Sequence, residues 1–334
     1  MTMPSRKLGA NGPVVSALGM GCMRLSNAPN REANSVATIH AALDAGIGLL
    51  NSGDFYGMGE SELVIGKAIK GRRDKVFISV KYGGKLDPGG RLIDFDAGYA
   101  ATLSSLAFSL RRLGTDYIDL YQPARIFPQV PLEETMEALA EAVRRGWIRH
   151  IGLSEVSPEI IARASAIHPV TAVEAEFSLA AREAEQTIFP AARASGAGLV
   201  AYAVLGAGLL GGRSAAITEN VGTPRFEAEN LATNLALVRR FENIAGDIGC
   251  SAAQLAIAWV LARGEDIVPL IAPNTPDDLA ELIGALDVRL GEAELTAIDA
   301  ACPPGSFAGT YHPAAVREQS IPQDGIKVSA GGTG

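Results

Sequence analysis

Cysteine, histidine and tryptophan are scarce here, at three, four and two in 334 residues. Cys22, Cys250 and Cys302 are odd in number and far apart, so neither a disulfide framework nor a thiolate zinc site is expected. His40, His150, His168 and His312 never fall at metal-ligand spacing, so no metal is expected. Charge is sparse too, at 20% of residues, and the net charge is −8. A surface that coats nucleic acid needs an excess of Lys and Arg, so no such partner is expected. No run of about 18 apolar residues occurs, so no membrane-spanning helix is expected. Met1 to Lys7 is not followed by an apolar signal core, which makes a cytoplasmic protein the expectation. Nothing in the sequence fixes an oligomeric state.

What is present is a core and a rhythm. Hydrophobic residues make up 48% of the chain. Short runs, apolar on both faces, alternate with longer amphipathic ones. The short runs are 18–22, 47–50, 76–80, 117–121, 148–153, 170–175, 198–203 and 267–271. They read as eight buried parallel strands. The helices between them are punctuated by Ser157-Pro158-Glu159, Thr275-Pro276-Asp277, Pro131 with Glu133 and Glu134, and the closing glycines Gly114 and Gly146. Others are expected at 35–45, 60–69 and 183–194, with a helical pair within 234–263. Eight strand–helix units over this length define a (β/α)8 TIM barrel, an α/β fold, with a doubly wound sheet as the alternative. The stretch 6–16, centred on Asn11-Gly12, reads as a β-hairpin ahead of the barrel. Residues 1–328 are expected to form one domain and 329–334 a disordered tail. The long loops expected at the C-terminal face are 83–94, 122–130, 206–230 and 302–313.

Chemistry in such a barrel sits at the carboxyl ends of the strands. Those ends carry Asn51, Lys81, Gln122, Ser154, Glu174, Glu176, Tyr202 and Ala272. A lysine pointing into the mouth would acidify a neighbouring phenol, and Tyr56 lies in the loop after the second strand. Gly206-Ala207-Gly208-Leu209-Leu210-Gly211 follows the seventh strand and offers backbone N–H groups to a phosphate. The Thr275 cap offers a second set at the start of the last predicted helix. Two adjacent phosphate cradles suggest a dinucleotide.

Several motifs in fixed order now resemble one family. They are Asn51-Ser52-Gly53-Asp54-Phe55-Tyr56-Gly57, Val80-Lys81, residues 114–122 (GTDYIDLYQ), Ile151-Gly152-Leu153-Ser154 and Glu176-Phe177-Ser178-Leu179. The chain resembles the aldo-keto reductases over about residues 5–312. The resemblance implies hydride transfer between NAD(P)H and aldehydes or ketones, or from alcohols, without metal. It places the proton-donor tyrosine on Tyr56 and its lysine on Lys81. It puts Ser154 and Glu174 at the nicotinamide carboxamide, where relatives usually have Gln at the latter. Tyr202 would stack on the nicotinamide. Ala203, Leu205 and Gly208 would lie over the pyrophosphate, and Ala272, Asn274, Asp278 and Glu281 would complete the cofactor site. Met23, Phe55, Ala124, Arg125 and Phe127 would line the substrate pocket.

Two positions of the family's usual Asp, Tyr, Lys and His tetrad also depart. The usual Asp is Asn51 and the usual His is Ala124. Without that carboxylate, Tyr56 should become more acidic and Lys81 harder to keep protonated. Asp54 could replace the lost charge, although a solvated loop acid is the plainer reading. Losing an oxyanion donor at Ala124 costs on the order of 10²–10³ in rate. Arg125 could take over polarisation, but a structural ion pair is favoured for it. For His312 a surface role is favoured. At the adenosine end, Asp278 would repel a 2′-phosphate and suit a free hydroxyl. NADH is therefore expected to bind at least as well as NADPH, unless Arg213 or Arg225 reaches the phosphate. Two alternatives to an active reductase are a nicotinamide-nucleotide sensor or partner subunit with weak turnover, and a cofactor-free enzyme using Lys81 as a Schiff-base nucleophile.

Overall fold

A computed structural model of the chain describes residues 3–26, 32–126, 128–212 and 223–312. Eight parallel strands close into a barrel: β3 (Gly19–Gly21), β4 (Leu49–Gly53), β5 (Phe77–Tyr82), β8 (Ile118–Pro123), β9 (Ile148–Ser154), β10 (Ala172–Glu176), β11 (Gly198–Tyr202) and β12 (Ile267–Ile271). They follow one another round the barrel in chain order, and β12 pairs with β3 to close it. The fold is a (β/α)8 barrel, and the doubly wound alternative is excluded.

Several strands run further than their apolar runs suggested. The ladder pairs Gly53 with Lys81 and Tyr82 with Pro123. The apolar reading stopped where the inward positions turn polar, but the backbone hydrogen bonds continue past that point. Helices lie outside the barrel and bury their apolar faces on it. Their starts follow local chemistry. Ser157 accepts from the Ile160 N–H, Thr275 accepts from the Asp278 N–H, and Ser251 and Gln254 form a reciprocal capping box.

The hairpin is β1 (Ser5–Lys7) with β2 (Val14–Ser16). It closes the barrel's N-terminal end. Leu8 and Val15 pack with Leu49, Leu120, Ala172, Val200 and Val268 inside the barrel. A Cβ added at Gly198 would meet the Gly9 nitrogen at 2.4 Å, so only a bare backbone fits there.

Three expectations need correction. The stretch 83–94 is not an open loop but contains an antiparallel hairpin, β6 (Gly84–Leu86) with β7 (Leu92–Phe95), because inward aromatics give it something to pack on. The stretch 206–230 is not one long loop. It opens with a 3₁₀ turn, Gly206–Gly211, and its end is already inside the helix Ala228–Ile248. A last helix, Glu292–Ala301, was not anticipated. Phe127, Arg213 and the predicted tail lie outside the described residues. Among the described residues no single helix is long and apolar enough to cross a membrane, and no three His, Cys, Asp or Glu cluster as metal ligands.

The hairpin's contribution is testable. Leu8 is fully buried, so Leu8→Ala should lower the unfolding free energy by about 2–5 kcal/mol in a urea titration.

Candidate active site

Side chains alternate in and out along each strand. Leu49, Leu120 and Ala172 face the barrel interior. Two residues further along the same strands stand Asn51, Gln122 and Glu174, all buried. On β5, Ser79 and Lys81 follow the same parity after Phe77. The barrel therefore changes from an apolar floor to a polar layer within two residues.

That layer is tightly bonded. Lys81 Nζ donates to Asn51 Oδ1 at 2.6 Å and to Glu174 Oε1 at 2.8 Å. Glu174 Oε2 accepts from Asn51 Nδ2 at 2.6 Å and from Gln122 Nε2 at 2.5 Å. Asn51 Nδ2 also lies 3.2 Å from Ser79 Oγ. Lys81 is 6% exposed and Glu174 1%, so this is a buried ion pair held by amides.

Tyr56 is brought to this layer by its loop. The Asp54 N–H donates to the Lys81 carbonyl at 2.8 Å, and the Gly83 N–H donates to Asp54 Oδ2 at 3.1 Å. Left-handed backbone at Gly57 and Met58 then turns the chain away. The Tyr56 ring packs over Gly53, where an added Cβ would lie 3.2 Å from it. Lys81 Nζ lies 5.4 Å from the ring centre, close enough for its charge to act on the phenol.

The electrostatics differ from the expectation for an uncompensated lysine. Burial alone would lower the Lys81 pKa, but Glu174 and Tyr56 more than offset it, and the net shift is upward. Burial raises the Tyr56 pKa, Lys81 opposes this, Glu174 adds to it, and the net shift is again upward. Tyr56 is thus not acidified and Lys81 is not hard to protonate. A lysine held as an ammonium is also a poor Schiff-base nucleophile, which disfavours the cofactor-free alternative.

Asp54 does not replace the missing charge. Its carboxylate clips the Tyr56 loop to Gly83. Burial raises its pKa to about 6, against the Gly83 hydrogen bond and with help from the nearby Glu62 charge. Arg125 forms no ion pair with a described carboxylate. It donates to the Ala124 carbonyl at 2.6 Å and lies 5.8 Å over the Phe95 ring. His312 is not a plain surface residue: its Nε2 sits 2.9 Å from Tyr202 Oη and 3.4 Å from Arg125 Nη2. Arg225 is locked in a buried pair with Glu176 at 2.8 Å, where burial raises the Glu176 pKa and Arg225 opposes it.

One cavity of about 390 Å³ joins these groups. Asn51, Tyr56, Lys81, Ser154 and Glu174 line its inner wall. Tyr202, Ala203, Leu205 and Gly208 line it from β11 and the turn that follows. Ala272, Asn274, Asp278 and Glu281 line the far end. Met23, Phe55, Ala124, Arg125 and Tyr311 line the mouth, together with Leu92, Phe95 and His312, which were not singled out as lining at the outset. Every predicted site residue within the described part of the chain therefore meets in one place. The interaction missed from the sequence is the Lys81–Glu174 pair. Its signal was present: two departures, an amide at 51 and an acid at 174, that complement each other.

Comparisons agree with this architecture. The model of the Aldo/keto reductase family matches residues 17–302. The chain belongs to the aldo-keto reductase family. It is 41% identical over 314 residues to a Glycine max protein named "Probable aldo-keto reductase 1", covering 91% of this chain and 90% of that protein. It is similar in structure to a glycerol dehydrogenase from Gluconobacter oxydans, with a TM-score of 0.81 and 26% identity, covering 94% of this chain and all of that one. A Bacillus halodurans aldo-keto reductase in holo form gives a TM-score of 0.76 and 27% identity over 90% and 96% of the two chains. Family membership supports NAD(P)H-dependent carbonyl reduction as the general activity.

The Asp54 assignment has a pH signature. A carboxyl whose folded pKa is raised stabilises the fold below its usual range and loses that contribution as pH rises through the folded value, here about 6. Asp54→Asn should therefore melt higher than the wild type at about pH 8, by up to about 3 kcal/mol, and no higher at about pH 4.

Proposed function

We propose that this protein is an NAD(P)H-dependent oxidoreductase that reduces aldehydes and ketones, or oxidises alcohols in reverse. The carrying observation is the convergence of the Tyr56 phenol ring and the Lys81 ammonium, 5.4 Å apart, in the lining of one cavity. A nicotinamide nucleotide held by Ser154, Tyr202 and the turn after β11 would supply a hydride for the carbonyl carbon. Tyr56 Oη gives its proton to the carbonyl oxygen, which leaves as an alcohol, and Lys81 stabilises the phenolate left behind. Phe55, Phe95 and Tyr311 give the cavity an apolar side beside that transfer.

The residues present suit the nucleotide. Ser154 Oγ is buried, lines the cavity and has no partner among the described residues, as a group suited to hold a carboxamide would. Ala203 and Ala207 hold left-handed backbone, at φ of 52° and 62°, in the turn after β11. Such strain in non-glycine residues persists where a site needs it, as a backbone cradle for a phosphate would. Tyr202 presents a ring, held through its hydroxyl by His312.

NADH should bind at least as well as NADPH. Residues 267–283 carry no Lys or Arg. Asp278 and Glu281 line that end of the cavity, and Asp278 Oδ2 accepts the Asn274 N–H at 3.0 Å. Arg225 is committed to Glu176. A carboxylate there repels a 2′-phosphate and can accept a 2′-hydroxyl.

Ala124 favours slower turnover than a site with a donor there, and it is the one observation on the side of a sensor or partner subunit. Both readings meet one experiment. Tyr56→Phe should lower kcat/KM for an activated aldehyde by about 10²–10⁴-fold while leaving nucleotide fluorescence titrations nearly unchanged. Binding without turnover across a broad carbonyl panel would favour the sensor, and NADPH binding about tenfold tighter than NADH (~1.4 kcal/mol) would overturn the cofactor preference.

A further inference from the structure

A buried ammonium is costly unless a counter-charge accompanies it. The groups facing Lys81 come from every surrounding element. Asn51 from β4, Ser79 from β5 and Gln122 from β8 are neutral. Tyr56 contributes a phenol and Cys22, after β3, a buried thiol whose pKa burial pushes up to about 12. Arg125 is itself a cation. Asp54 is turned to Gly83. The remaining group is Glu174, from a strand three places round the barrel from β5. Both its oxygens are engaged: one by Lys81, the other by Asn51 and Gln122.

We propose that Glu174 is a positioning residue of the proton-transfer site, its carboxylate supplying from β10 the counter-charge that holds Lys81 beside the Tyr56 hydroxyl and that Asn51 cannot supply. This rests on the function proposed above. The site keeps one carboxylate for one ammonium, with acid and amide exchanged between the two strands. Exchanging them back keeps the pattern of bonds, since Lys81 finds an oxygen on both residues and one amide N–H still joins them. Gln122 can follow by turning its amide, whose Oε1 has no partner among the described residues.

The test is that exchange. Wild type is compared with Glu174→Gln, Asn51→Asp and the double variant. Removing the negative charge makes proton loss from the Tyr56–Lys81 pair easier, whichever group loses first. The alkaline limb of kcat/KM for carbonyl reduction should fall by about one pH unit or more in Glu174→Gln. It should rise in Asn51→Asp and return to the wild-type position in the double variant. Tyrosinate absorbance in nucleotide-free protein, taken as the difference from the matching Tyr56→Phe protein, reads the same ionisation without turnover. Its midpoint should fall in Glu174→Gln and recover in the double variant. Coinciding profiles for wild type and Glu174→Gln overturn the proposal. So does a double variant no nearer the wild type than the single one. If Glu174→Gln fails to fold, the double variant should fold, and its failure also overturns the proposal. A wild type with no turnover counts against the proposed function instead, and the absorbance titration still decides the role of Glu174.

Discussion

Putting an ammonium inside a barrel commits the rest of the barrel to it. Lys81 is nearly sealed from water, and its stability as a cation depends on what the other strands place opposite. The closed parallel ladder makes that possible. It holds β4, β5, β8 and β10 at fixed angles round one axis, so four inward side chains meet without any loop moving. The floor of Leu49, Leu120, Ala172 and the hairpin residues excludes solvent from below. The polar layer then faces a single open side, where the Tyr56 loop and the turn after β11 converge.

Around this layer, much of the structure consists of devices that fix angles. Asp54 holds the Tyr56 loop by its backbone to β5 and by its side chain to Gly83. Arg225, paired with Glu176, anchors the segment after the β11 turn. His312 bridges the ring of Tyr202 to Arg125, tying the chain's late segment to the mouth. Each is a polar group spent on position, and each reads in isolation as a loop residue.

That is why the sequence disclosed some of this and not the rest. Strand existence was legible because barrel strands are apolar on both faces. Strand ends were not, since at Asn51, Lys81 and Gln122 polarity comes from the site while the ladder continues. The capped helices at Ser157 and Thr275 were legible because their chemistry is local. The hairpin over 84–95 was not, because the four residues Leu92-Ile93-Asp94-Phe95 are too few to show an alternation. The lining of the cavity was legible from motifs in order along the chain. Its wiring was not, because Lys81 and Glu174 lie 93 positions apart on strands that are not neighbours. Only their closure into a ring brings them together.

The bond between Asn51 and Glu174 constrains how this protein can diverge. An amide at both positions strands a cation in a dry interior, and an acid at both crowds two anions onto it. Descendants of this chain can therefore drift freely at neither position. Exchanging both residues together keeps one carboxylate for one ammonium, whereas changing either alone does not.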